Sequence, residues 1–271
     1  MSISLISQRV FFDTTDISTA VADFRVGTYA MVSTSAKYIY VGSTSPFNNL
    51  WFELSSVAGA SAGAPTVQIW WGQQWTSAVD VIDSTSGMTA SGRISWSTHN
   101  LKGWDREQYS ATVGITGSVI YDRYWLRLNW ATSFNATLAY LGQKFSNDGL
   151  LQSMYPDLLQ STILAGYKAG KTTWDEQHFM AAEAIARDLR KRNMIFHQGQ
   201  ILDCSVFEEA SAHKVAEIAY SAFGTAYADH VNNARKRYEA EMASRLLVID
   251  ENRNGHVEYE ETKSSQGWIG R

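Results

Sequence analysis

The feature that most constrains this chain is a change of pattern at residues 143–149. Before it, aromatic and β-branched runs are broken at short intervals by Gly, Ser and Thr, whereas after it apolar residues recur with a period near 3.6. A strand sends alternate side chains to opposite faces and a helix gathers every third or fourth on one face, so one layer cannot satisfy both patterns. The pattern predicts α+β architecture in two domains: an N-terminal antiparallel β-sandwich or jelly roll over residues 1–143, then a small C-terminal helical bundle over 148–261. A tail, 262–271, follows. The first 143 residues carry 8 Lys/Arg and 9 Asp/Glu, whereas the remaining 128 carry 33 charged residues. A length of 271 residues allows each half its own core.

In the first half, strands are expected near 7–13, 25–33, 37–42, 50–57, 66–72, 92–97, 112–121 and 124–130, a spacing that suits a sandwich. In the last of these, Tyr124, Leu126, Leu128 and Trp130 share one face while Trp125, Arg127 and Asn129 share the other, as in a half-buried strand. Residues 58–65, rich in Ala and Gly, read as a mobile loop, and residues 143–149 as an open, protease-sensitive linker. Eight of the ten tryptophans lie in this half. Trp70 and Trp71 are neighbours, so at most one enters the core and the other is exposed or covered by a partner. With Trp75 they are candidates for an aromatic surface, suited either to a protein interface or to stacking on sugar rings.

In the second half, residues 174–194 predict an amphipathic helix with the stripe Phe179, Ala182, Ile185, Ala186 and Leu189. Thr172 or Thr173 is its expected N-cap, Asp175 and Glu176 occupy its first turn, and Arg187, Arg190, Lys191 and Arg192 load its C-terminal end. Further helices are expected over 206–222, ending near Gly224, and over 226–247. One or two shorter helices, divided by Pro156, are expected over 149–169.

Composition excludes several chemistries. A net charge of -4 gives no general attraction to phosphate backbones or anionic lipid. The single cysteine, Cys204, can close no internal disulfide and build no zinc site. No GxSxG turn, HExxH pair or phosphate-binding glycine loop occurs, and the six histidines are scattered, which suits solvated or half-buried side chains. No catalytic residues are assigned and no enzyme activity is expected. No apolar stretch is long enough to cross a membrane, and the N-terminus lacks a basic-then-apolar leader, so a cytoplasm-like compartment is expected.

One motif matches a cation-binding pattern at every required position. Asp250, Asn252, Asn254, the carbonyl of His256, Glu258 and Glu261 would supply oxygens to a calcium ion, with Gly255 making the turn. Asn stands where Asp would add charge, and the residues after Glu261 make a poor exiting helix. The expectation is therefore a structural loop, filled by calcium or held by Asx hydrogen bonds, with no cofactor required.

The run Ala181 to Leu189, the segment 214–222, then Tyr238-Glu239-Ala240-Glu241-Met242 leading into Leu246 to Gly255, resembles the head–tail adaptor proteins of tailed bacteriophages over about residues 148–271. The resemblance implies a non-enzymatic virion protein of the neck, assembled in the host cytoplasm. It would form a ring of itself, usually of twelve copies, between the portal protein and the next neck or tail protein. Double-stranded DNA would pass through the ring without specific binding, which mild acidity suits. The all-β first half departs from a minimal adaptor and would be a peripheral interaction module. Candidate partner-binding residues are Arg187, Arg190 and Lys191 against Glu239 and Glu241 of a neighbour, and Trp268 and Ile269 of the tail as a docking peptide. A glycan-binding, lectin-like module on a helical stalk is the alternative, and a glycosidase a weaker third.

Overall fold

The computed structural model describes residues 8–22, 27–44, 46–97, 104, 106–109, 119–195, 201, 204–244, 246–248 and 262–264. The chain divides after Gly142: Met1–Gly142 belong to one compact unit and Gln143–Ile249 to another. The fold is α+β, a β-sandwich followed by a helical segment.

The larger sheet of the first unit is antiparallel and contains β1 (Gln8–Phe12), β2 (Thr15–Asp16), β4 (Ile39–Ser43), β6 (Thr66–Trp71), β7 (Gln74–Ser77), β10 (Arg106–Tyr109) and β11 (Val119–Asn129). Its order is β2-β1-β4-β11-β6-β7, with β10 also paired to β11. The smaller sheet, ordered β3-β12-β5-β9-β8, contains β3 (Tyr29–Ser33), β5 (Asn49–Ala58), β8 (Val79–Asp83), β9 (Gly92–Ser97) and β12 (Phe134–Gly142). A short helix, α1 (Ser18–Val21), follows β2.

The core lies where the two sheets face each other. Val10, Ile39, Val41, Leu126, Leu128, Val67 and Ile69 of the larger sheet join Met31, Leu50, Phe52, Ile94, Trp96 and Leu138 of the smaller one in a single buried cluster. The alternation of residues 124–130 is realised, with Tyr124, Leu126, Leu128 and Trp130 all in this cluster. Strand β12, absent from the sequence expectations, sits between β3 and β5. It starts with Phe134, Ala136 and Leu138 inward; register irregularities on either side of Leu138 then shift the phase, and Leu141 becomes the next core residue.

Three expectations for this half are corrected. The outer face of β11 is not simply polar, because Trp125 is fully buried there against Phe11, Tyr40 and Trp70. Trp70 and Trp71 do point to opposite faces, but neither stands in water: Trp70 is buried in that outer cluster and Trp71 is half-buried against the sandwich core. The segment 58–65 is anchored rather than loose. Ala62 is buried, its N–H donates to Gly87 and its carbonyl accepts from Thr132, while Ser61 donates to Ser86.

Gly72 and Gln73 both have positive φ, 60° and 61°, and connect Trp71 to its ladder partner Gln74. Two left-handed residues make the tight hairpin whose twist matches its strands, so the segment 70–75 is a turn presenting Trp75 on β7.

The second unit contains α2 (Asp148–Met154), α3 (Ser161–Tyr167), α4 (Asp175–Lys191), α5 (Glu208–Ser221) and α6 (Ala228–Ser244). The predicted stripe of α4 is wholly buried. Ala210, Ala212, Ala216 and Ala219 line α5 inside, and such small side chains let neighbouring helices approach closely. The predicted cap of α4 is corrected: the N-cap position is Trp174, whose N–H is held by the Asp148 carboxylate. The predicted 226–247 helix stops at Ser244, because Leu246–Val248 leaves as a strand, β13, paired antiparallel with β14 (Thr262–Ser264).

Candidate functional site

Three places carry groups whose chemistry goes beyond packing: a buried polar chain in the helical unit, the charged faces of α4 and α6, and the outer face of the larger sheet.

The buried chain begins where the predicted linker was placed. Gln143, Lys144, Phe145 and Ser146 are all buried, which corrects the expectation of an open segment. Each is tied into the helical unit. The Cys204 thiol faces the Gln143 amide oxygen at 3.4 Å, and Phe145 packs on Phe207. Lys144 lies 2.6 Å from Asp175 and over the Phe179 ring. Ser146 Oγ is 2.7 Å from both His178 Nδ1 and Ser211 Oγ, and His178 Nε2 is 3.0 Å from Asp148 Oδ1.

The proton arrangement follows from the acceptors. An ionised Asp148 can only accept, so His178 donates through Nε2 and its Nδ1 accepts from Ser146. Ser146 in turn accepts from Ser211. Burial pushes His178 below the usual imidazole range against the pull of Asp148, which keeps the ring neutral. The contact order is that of a nucleophile, base and orienting carboxylate, and sequence inspection missed it because Ser146 and Asp148 lie about 30 residues from His178. The Ser146 hydroxyl is buried and engaged on both sides, so in this arrangement the chain locks residues 143–148 onto α4 and α5. His178 and His213 are both buried, which corrects the expectation of solvated or half-buried side chains at these two, while His230 is exposed.

These groups give the helical unit a defined acid response. Burial lowers both His178 and His213 below the ordinary 6.5, aided at His213 by Arg237. Below that pH the unfolded chain takes up protons that the folded chain does not, so stability falls as pH drops through this window. Burial alone would raise Asp175 and Glu217, but Lys144 together with the Thr173 hydrogen bond and His178 outweighs it at the first, and Lys214 and Arg235 at the second. Their stabilisation is present above the ordinary carboxyl values of 3.8 and 4.5 and is lost as pH falls through the lower folded values, reinforcing the trend. The urea midpoint is therefore expected to be lower at about pH 5 than at about pH 7, with a smaller drop in His178→Gln. Equal midpoints at the two pH values would contradict this account.

On α4, Arg187, Arg190 and Lys191 are exposed, and Lys191 approaches Asp188 at 3.8 Å. Arg192 is already used, donating to the Met242 carbonyl. On α6, Glu239 is exposed and Glu241 half-buried. Tyr238 donates to Asp188 and so ties α6 to α4.

On the outer face of the larger sheet, Arg127 stands opposite Tyr40 on β4 and Gln68 on β6. Its guanidinium lies 4.5 Å from the ring centres of both Tyr38 and Trp75, and Nε donates to Gln68 at 2.7 Å. Trp70 and Trp75 meet edge to face. This cluster brings two of the three predicted aromatic candidates together and adds Tyr38, Tyr40 and Arg127. Trp71 points to the sandwich core.

Asp250, Asn252, Asn254, His256, Glu258 and Glu261, like Trp268 and Ile269, lie outside the described residues. The ladder next to the predicted cation loop is described: Val248 pairs with Thr262, so strands rather than helices bracket residues 250–261. Among the described residues, no group of three His, Cys, Asp or Glu could hold a metal ion, and no helix is long and apolar enough to cross a membrane. No family model matches the chain, and no curated protein matches it.

Proposed function

We propose that the protein is a structural component of a tailed-phage virion, a ring-forming head–tail connector whose helical unit makes the ring contacts and whose β unit faces outward. The observation that carries this reading is the surface of α6. Of its 17 residues only Ala234, Tyr238 and Met242 are buried, so one copy leaves most of a five-turn helix in solvent. Helices of this length draw most of their stability from packing, and a neighbouring copy would supply it. The exposed Arg187 and Arg190 of α4 and the exposed Glu239 of α6 are complementary and belong to separate helices, as a head-to-tail ring contact requires. The resemblance of residues 148–271 to phage adaptors supports the same reading, and the net charge of -4 suits a channel through which DNA slides.

In this reading the portal protein and the next neck or tail protein bind the two sides of the ring, and residues 250–261 form a structural loop, filled by calcium or held by Asx hydrogen bonds. Exposed ion pairs contribute only about 0–1 kcal/mol each, so the Arg190 contact sets register more than affinity. Arg190→Glu is expected to reduce the ring fraction in analytical ultracentrifugation while leaving the circular dichroism spectrum unchanged. An undiminished ring fraction would remove Arg190 from the contact.

A further inference from the structure

We propose that the outer face of the larger β-sheet binds the carboxylate of an acidic sugar through Arg127. Arginine is almost never fully buried unless it is paired. Arg127 is half-buried and forms no ion pair with any Asp or Glu among the described residues. Two rings hold it instead, Tyr38 and Trp75, each with its centre 4.5 Å from the guanidinium carbon. Gln68 takes Nε, and the Tyr40 hydroxyl lies close enough for Arg127 to oppose the burial that raises it. The ring pair and Gln68 fix the guanidinium plane. Beyond the Tyr40 hydroxyl, its terminal N–H groups meet no acceptor among the described residues.

A fixed guanidinium presents a planar fork to a bidentate oxyanion, and this one cation balances the single charge of a carboxylate better than the nearly double charge of a phosphate monoester. The surroundings select what carries that carboxylate. Tyr38, Trp75 and Gln68 are half-exposed and Gln74 is exposed. A uronic acid presents a rigid ring with an apolar C–H face beside its carboxylate and hydroxyls around it. It thus uses aromatic ring, amide and cation together, while a flexible glutamate side chain uses only the cation. Forming the pair next to low-dielectric rings strengthens it relative to open water. The site does not depend on the connector reading, since rings without sugar binding, or sugar binding without rings, would separate the two.

The test is isothermal titration of the full chain with a galacturonic acid trisaccharide, with the neutral galactose trisaccharide and with a tri-glutamate peptide of equal charge. The acidic sugar is expected to bind at least about tenfold more tightly than either control, a difference of about 1.4 kcal/mol. Arg127→Gln should weaken it by about tenfold or more at an unchanged melting temperature. If that variant does not fold, Arg127→Lys, which keeps the charge and loses the planar fork, should still weaken binding several-fold. No measurable binding of the acidic sugar, equal binding of the neutral sugar or the peptide, or full binding by a folded Arg127 variant would overturn the proposal.

Discussion

Trp125→Ala is expected to destabilise the β unit by about 3–5 kcal/mol, the range for deleting a large buried aromatic side chain. The indole is fully buried although it lies on the outer face of β11. Its ladder partner is Gly42, and a Cβ built there would stand 2.7 Å from the ring carbons, so the ring occupies the space that any other side chain would fill. Phe11 packs against it with centroids 6.3 Å apart, and Tyr40 and Trp70 complete the cluster. The indole N–H has no partner among the described residues, so the substitution removes packing rather than a hydrogen bond. The pair is also coupled: Gly42→Ala should cost more in the natural chain than beside Ala at 125, where its methyl group meets no ring. Urea unfolding measures both effects. A Trp125→Ala loss below about 1 kcal/mol would contradict the packed outer face.

On the connector reading proposed above, removing residues 265–271 is expected to abolish binding to portal rings. Burial of Trp268 and Ile269 would contribute roughly 3–5 kcal/mol per copy before the tail's ordering cost is subtracted, and repetition around a ring turns a modest remainder into firm attachment. The deletion begins at Ser265 because Thr262–Ser264 pairs with Leu246–Val248, and a cut inside that ladder would confuse docking with folding. Co-sedimentation with the portal protein of the same virus reads the binding, and circular dichroism reads the fold. Undiminished co-sedimentation by the shortened chain would dispose of the docking role.

Much of the fold was legible because burial follows local period. The inward stripe of α4 and the alternation of residues 124–130 are each set within one element, and both appear as expected. What escaped depends on partners distant in sequence. β12 has small residues at Ala136 and Ala139 and an irregular ladder, which together blur its period. Trp125 looked like a surface residue because its cover comes from β1, β4 and β6. Residues 58–65 have little to pack individually, yet Gly87, Ser86 and Thr132 supply their hydrogen bonds from elsewhere. The same holds for the polar groups. Asp148, His178, Ser146 and Ser211 share no motif spacing and meet only through α2, α4 and α5. Arg127 was visible as a polar residue of β11, but its sandwich between Tyr38 and Trp75 requires the strand order β4-β11-β6-β7.

The most direct test of the connector account is negative-stain electron microscopy of the purified full chain, alone and mixed with portal rings of the same virus. The account predicts closed rings with a central channel, stacked coaxially on the portal. Discrete monomers under both conditions, with the portal left bare, would contradict it.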